Sequence, residues 1–177
     1  MHLCSLRNNL RSKVLKDLSY ISDLGLHQLW VQIHLNQNRS IIVCATYKPP
    51  NCHVTCIKDE FKSMFVEAFM MQPQIVIMGD LNCNLLNNSS VEAKVLLDTC
   101  NELNLSQIIK EPTRITAQTR SLLDVKMITP LSKFKNSGVI NTGISDHCLV
   151  YCIMKVKTKK LNPKYIHVIK GTTRWIL

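Results

Sequence analysis

What this chain lacks narrows its class first. No stretch approaches the roughly 20 consecutive apolar residues of a membrane span, and the amino terminus carries no apolar signal-peptide core. Both absences favour an intracellular protein, nuclear or cytoplasmic, with no membrane partner. Glycine and proline are scarce, at 5 and 6 in 177 residues, and there is neither an internal repeat nor a low-complexity tract. With 46% apolar residues the chain can bury a real core as one globular domain. No second Cys/His pair completes the zinc-like half-site Cys52-His53-Val54-Thr55-Cys56, which argues against structural zinc. The eight cysteines (Cys4, Cys44, Cys52, Cys56, Cys83, Cys100, Cys148 and Cys152) lie largely inside apolar patterns and read as reduced thiols.

Acidic residues are also few, 12 against 22 Lys and Arg, for a net charge of +10. None follows Asp146, whereas Lys155, Lys157, Lys159, Lys160, Lys164, Lys170 and Arg174 all do. Residues 157–177, broken by Pro163 and Gly171, therefore read as a basic extension or linker beyond a domain at 1–156. Two readings stay open for it. Lys155, Lys157, Lys159, Lys160 and Lys164 contact DNA, or RNA, through phosphate charge and counterion release, or the segment is a solvated linker.

Hydrophobic periodicity outlines the elements. Residues 28–35 and 40–47 are apolar, β-branched stretches around Asn36-Gln37-Asn38-Arg39, which predicts a hairpin. Residues 57–71 place Ile57, Phe61, Met64, Phe65, Ala68 and Phe69 at helical spacing, with Thr55 as the expected cap. Ser89-Ser90-Val91-Glu92 has the capping-box pattern, opening a second helix that buries Val95, Leu96, Cys100 and Leu103 and ends near Asn104. Further strands are expected at 105–109, 122–128, 137–141 and 148–156.

The most informative residues close the apolar run 74–78: Gly79-Asp80-Leu81-Asn82. A glycine there predicts a sharp turn at the carboxyl end of a buried strand, where α/β sheets keep their chemistry. Ser145-Asp146-His147 stands just before the apolar run 148–154, so two polar clusters at strand ends are positioned to meet at one rim. Each residue has a plain structural explanation. An Asp-x-Asn stabilises turns, a lone histidine is more often structural, and Tyr47 before Lys48-Pro49-Pro50 can be a core aromatic with a wet hydroxyl. Asp124, between Leu123 and Val125, is harder to explain so, because a carboxylate inside an apolar strand must find a partner.

Taken in order, Leu29-Trp30-Val31, Ala45-Thr46-Tyr47-Lys48-Pro49-Pro50, Val76-Ile77-Met78-Gly79-Asp80-Leu81-Asn82, Glu111-Pro112-Thr113-Arg114-Ile115-Thr116, Ser121-Leu122-Leu123-Asp124 and Ser145-Asp146-His147 resemble the endonuclease/exonuclease/phosphatase superfamily. Within it they are similar to the endonuclease domain of non-LTR retrotransposons. The resemblance implies a DNase I-like α/β sandwich, two packed sheets flanked by helices, and metal-dependent phosphodiester hydrolysis. It also implies roles. Asp80 would orient or deprotonate the attacking water, and Asn82 would hold that water or a phosphate oxygen. His147 would stabilise or protonate the phosphate, with Asp124 fixing its tautomer. Tyr47 would contact phosphate or leaving group, Thr113 would support, and Asp146 would ligate Mg²⁺ or Mn²⁺.

Members of this family carry an Asn and a metal-binding Glu on two strands upstream of the hairpin. Neither is visible here, so the chain resembles a domain with its N-terminal strands missing. The function expected is that of a DNA endonuclease of retrotransposon type, impaired by that loss. The alternative is an inactive retroelement remnant that at most binds nucleic acid without sequence preference. A small phosphodiester such as a phosphoinositide is a third substrate class, disfavoured by Pro112-Thr113-Arg114 and Tyr47-Lys48-Pro49-Pro50.

Overall fold

The computed structural model describes residues 10–36, 39–87 and 89–156. In chain order they form β1 (Arg11–Val14), a 3-10 turn (Lys16–Leu18), β2 (His27–Asn36), β3 (Arg39–Tyr47) and a π-helical turn (Ile57–Phe61) running into α1 (Lys62–Met71). Then come β4 (Ile75–Asp80), α2 (Val91–Glu102), β5 (Ser106–Gln107), β6 (Arg114–Ile115), β7 (Arg120–Ser121), β8 (Asp124–Thr129), a second 3-10 turn (Leu131–Lys133), β9 (Phe134–Ile140) and β10 (Leu149–Met154). Among the described residues no helix is long and apolar enough to cross a membrane.

One six-stranded sheet, ordered β1-β2-β3-β4-β8-β5, carries the architecture; β3 and β4 run parallel and the other neighbours antiparallel. Because strand side chains alternate, it has two apolar faces. Trp30, Ile42, Cys44, Ile75, Ile77 and Met127 meet Phe61, Phe65, Leu96 and Cys100 of the helical layer. Val31, Ile33, Val43, Val76 and Ile128 meet Phe134, Cys152 and Met154 of the two-stranded β9–β10 sheet. This is the expected α/β sandwich. It explains why residues 75–78 are continuously apolar: β4 is covered on both sides. Each fully buried large side chain, such as Trp30 or Ile77, contributes about 1.5–3 kcal/mol.

Several expectations change in detail. The strand expected at 105–109 shrinks to Ser106–Gln107, because the Gln107 amide takes over the backbone of Ile109: Oε1 accepts from its N–H (3.1 Å) and Nε2 donates to its carbonyl (2.7 Å). Thr55 is not a cap. It lies in the first helical turn, and its own N–H donates to His53 Nδ1 at 3.3 Å. The capping-box expectation shifts by one residue, since Ser90 caps α2 by accepting from Ala93 N at 3.1 Å, which leaves Glu92 outside a reciprocal box.

Gly79 is no turn either. The strand continues to Asp80, and glycine is required because a Cβ would stand 1.7 Å from the carbonyl oxygen of Thr46 on β3. All seven described cysteines are free thiols, as expected, and Cys4 lies outside the described residues. Burial pushes Cys83 up to about 11 and Cys100 up to about 12, and raises Cys44 well above the ordinary thiol value.

Candidate active site

Strand register builds the site. Parallel pairing of β3 and β4 sets Tyr47 beside Asp80, antiparallel pairing of β4 and β8 sets Asp80 opposite Asp124, and the β2–β3 hairpin sets His27 opposite Tyr47. His27, Tyr47, Asp80 and Asp124 thus form one row across four adjacent strands, each step about 4.8 Å. The row forms part of the lining of a cleft of about 830 Å³, to which Ser145 and His147 also contribute.

Two neighbouring carboxylates are costly to bury unless each is partnered, and Asp80 and Asp124 are only 9% and 5% exposed. For Asp124 the partner is His147, whose Nδ1 lies 3.0 Å from Oδ2. With Nδ1 engaged there, Nε2 is the ring's other working atom. Asp80 Oδ1 accepts from the N–H of Asn82 at 2.9 Å, an Asx turn that the left-handed φ of Asn82 (48°) permits. The side-chain nitrogen of Asn82 donates to the carbonyl of Lys48 at 2.8 Å, and Lys48 N donates to the carbonyl of Asp80 at 2.9 Å. The Asp80–Asn82 turn and the Tyr47–Lys48 strand end are therefore tied together.

Thr113 is wholly buried and braces both walls. Its Oγ1 accepts from the N–H groups of Leu123 (3.0 Å) and Asp124 (2.9 Å), and its carbonyl accepts from Cys148 N at 2.7 Å. The hydroxyl fixes the start of β8 and the carbonyl fixes the residue after His147.

The ligand atoms of Asp80, Asp124 and His147 lie within 4.8 Å of one another, a donor set that fits a divalent cation. Asp146 is outside this group. Its exposed carboxylate accepts from Arg114 Nε at 2.7 Å and from Ser145 Oγ at 3.3 Å, and the bond from Arg114 above all holds it below the usual carboxylate range. Lys155 is not at the cleft; it lines a separate recess with Arg39 and Lys133, near the opposite end of the sheet. Lys157, Lys159, Lys160 and Lys164 lie outside the described residues, as do Lys170 and Arg174. No glutamate lines the cleft among the described residues.

The structure thus gathers Tyr47, Asp80, Asp124 and His147 at one rim, with Asn82 and Thr113 as braces. Sequence reasoning missed two residues. Arg114 was legible only as part of a motif, and His27 gave no signal beyond heading an alternating apolar strand.

A model of the endonuclease–reverse transcriptase family matches residues 41–151, more than half of the chain. Among solved structures, the endonuclease domain of TRAS1, a telomere-specific non-LTR retrotransposon, superimposes with a TM-score of 0.71 at 17% identity, over 86% of this chain and 72% of that one. A 3′ phosphatase, NExo, from Neisseria, bound to a product DNA hairpin, gives a TM-score of 0.52 at 13% identity, over 85% of this chain and 72% of that one. An endonuclease/exonuclease/phosphatase family protein from Leptotrichia buccalis gives 0.51 at 12% identity, over 84% of this chain and 62% of that one. Comparison with curated proteins by sequence gave no match. At these identities the structural likenesses establish the fold, which is the DNase I-like α/β sandwich.

Proposed function

Because the chain belongs to the endonuclease–reverse transcriptase family, we propose that its cleft hydrolyses phosphodiester bonds of DNA as an endonuclease of retrotransposon type. The observation that carries this reading is the His147–Asp124 contact beside Asp80, an oriented imidazole next to a carboxylate at the mouth of a cleft.

In this reading Asp80 accepts the proton of a water that attacks phosphorus, and Asn82 holds the Asp80 turn in place. His147, its Nδ1 engaged by Asp124, presents Nε2 to a non-bridging phosphate oxygen. The Tyr47 hydroxyl faces the leaving oxygen, whose bond to phosphorus breaks as the new one forms. Thr113 keeps Asp124 in register. A divalent cation, Mg²⁺ or Mn²⁺, would supply charge neutralisation to the phosphate. A carboxylate oxygen of Asp124 would hold it, joined by Asp146 where Arg114 yields that carboxylate. The basic residues from Lys155 onward would add contacts to phosphate that ignore sequence.

The test is nicking of supercoiled plasmid by the purified chain. Relaxation that requires Mg²⁺ or Mn²⁺, stops with chelator and needs more metal in Asp146→Ala supports the reading. Absence of any metal-dependent relaxation overturns it in favour of an inactive remnant that only binds nucleic acid.

A further inference from the structure

The cleft is poor in positive charge for a site that would take a polyanion. Its lining holds two carboxylates and no lysine or arginine; the groups able to carry positive charge are two imidazoles, His147 and His27. His147 is engaged by Asp124 at 3.0 Å. Among the described residues the ring nitrogens of His27 have no hydrogen-bond partner. The ring meets Tyr47 edge-on, with centroids 5.5 Å apart and planes at 85°.

That contact fixes where the imidazole stands. His27 is half-buried at the first position of β2 and shares the sheet face of Tyr47 and Asp80 through the register row. It lies two strands from Asp80, so their backbones are separated by about 9.6 Å. Tyr47 stands between them in the row, so His27 lines the same cleft on the side of Tyr47 away from Asp80. From these placements we infer that His27 is a substrate-contacting residue, hydrogen-bonding a phosphate that flanks the scissile one on the same nucleic-acid strand. The edge-on contact with Tyr47 aims the ring, and its nitrogens supply the donor that the acidic centre lacks.

This inference rests on the phosphodiesterase reading of the cleft, and its test separates the two. The probes are a fluorescent single-stranded oligonucleotide, read by anisotropy without metal, and two substrates: the same oligonucleotide and methyl p-nitrophenyl phosphate, which has no flanking phosphate. In His27→Ala, oligonucleotide Kd and KM rise by about 3- to 10-fold with kcat within about 2-fold, as for the net loss of one solvent-accessible hydrogen bond. The small diester is hydrolysed as by wild type. His27→Lys restores affinity and His27→Glu weakens it below the alanine variant.

Unchanged anisotropy in both His27→Ala and His27→Glu overturns the inference. So does a fall in kcat on the small diester, which would make His27 a positioning residue for Tyr47. If wild type hydrolyses neither substrate with any metal, the catalytic reading fails, and the metal-free anisotropy series still decides the contact. Should His27→Ala not fold, the lysine and glutamate variants carry the comparison.

Discussion

Replacing Thr113 with valine keeps the shape of a wholly buried side chain and removes a single oxygen. That oxygen accepts from two amides, Leu123 N at 3.0 Å and Asp124 N at 2.9 Å. Leaving a buried N–H without its acceptor costs about 1–3 kcal/mol. Two amides left without an acceptor therefore predict a loss of about 2–6 kcal/mol, against a total stability of about 5–15 kcal/mol for a domain of ordinary size. Thr113→Ser keeps the oxygen and removes one methyl, about 0.8 kcal/mol. Urea titration of the three proteins separates oxygen from methyl, with midpoints ordered wild type, serine, then valine well below. Catalysis should follow, because Asp124 N is held by this oxygen and Asp124 orients His147. Thr113→Ser should keep activity and Thr113→Val should lose it under folded conditions. Equal urea midpoints for valine and serine variants would refute the reasoning, since the hydroxyl would then brace nothing.

Gly79→Ala should destabilise by at least the roughly 1–3 kcal/mol of an overpacked site, because a Cβ 1.7 Å from the Thr46 carbonyl forces β3 and β4 apart beside Tyr47 and Asp80; a urea midpoint equal to wild type contradicts this. Alkaline titration should find stability constant up to about pH 9 and falling above it. The buried thiols keep their protons in the folded state up to about 11 for Cys83 and about 12 for Cys100, while unfolded thiols release theirs near the ordinary value of 9.0, so the unfolded state gains. Each such thiol contributes about 1.4 kcal/mol per pH unit, and Cys→Ala at position 100 should flatten the slope in melts between pH 8 and 11. Truncation after Val156 should lower the salt dependence of DNA binding by about one unit of slope for each phosphate no longer neutralised, and an unchanged slope would make the segment a passive linker.

Much of the rim was legible because its chemistry sits in short, ordered motifs. Asp124 was identifiable as a carboxylate inside an apolar strand, and the structure supplies its partner, His147. Gly79 is conspicuous in the sequence, but the contact that demands glycine is with β3, a neighbour not fixed by local sequence. The commitment of Asp146 to Arg114 was equally out of reach, because 32 residues separate them and either could have faced the cleft.

His27 shows the limit most sharply. Asn36 pairs with Arg39, but His34 pairs with Ser40, so β2 carries one extra residue near the hairpin. Without that bulge Gln28, not His27, would stand opposite Tyr47, and a one-residue slip sends every side chain to the other face. Alternation in β2 can be read from composition; its register against β3 cannot.

The central claim is that Asp80 and His147 at this rim perform phosphodiester hydrolysis, and single-turnover cleavage of an end-labelled oligonucleotide in Mg²⁺ or Mn²⁺ tests it most directly. Removal of a general acid or base should lower the rate by about 10²- to 10⁴-fold. Losses of that size are expected in both Asp80→Ala and His147→Ala, with each variant melting cooperatively near wild type. Cleavage at the wild-type rate by Asp80→Ala would contradict the claim, and would place any observed activity at another site or in another protein.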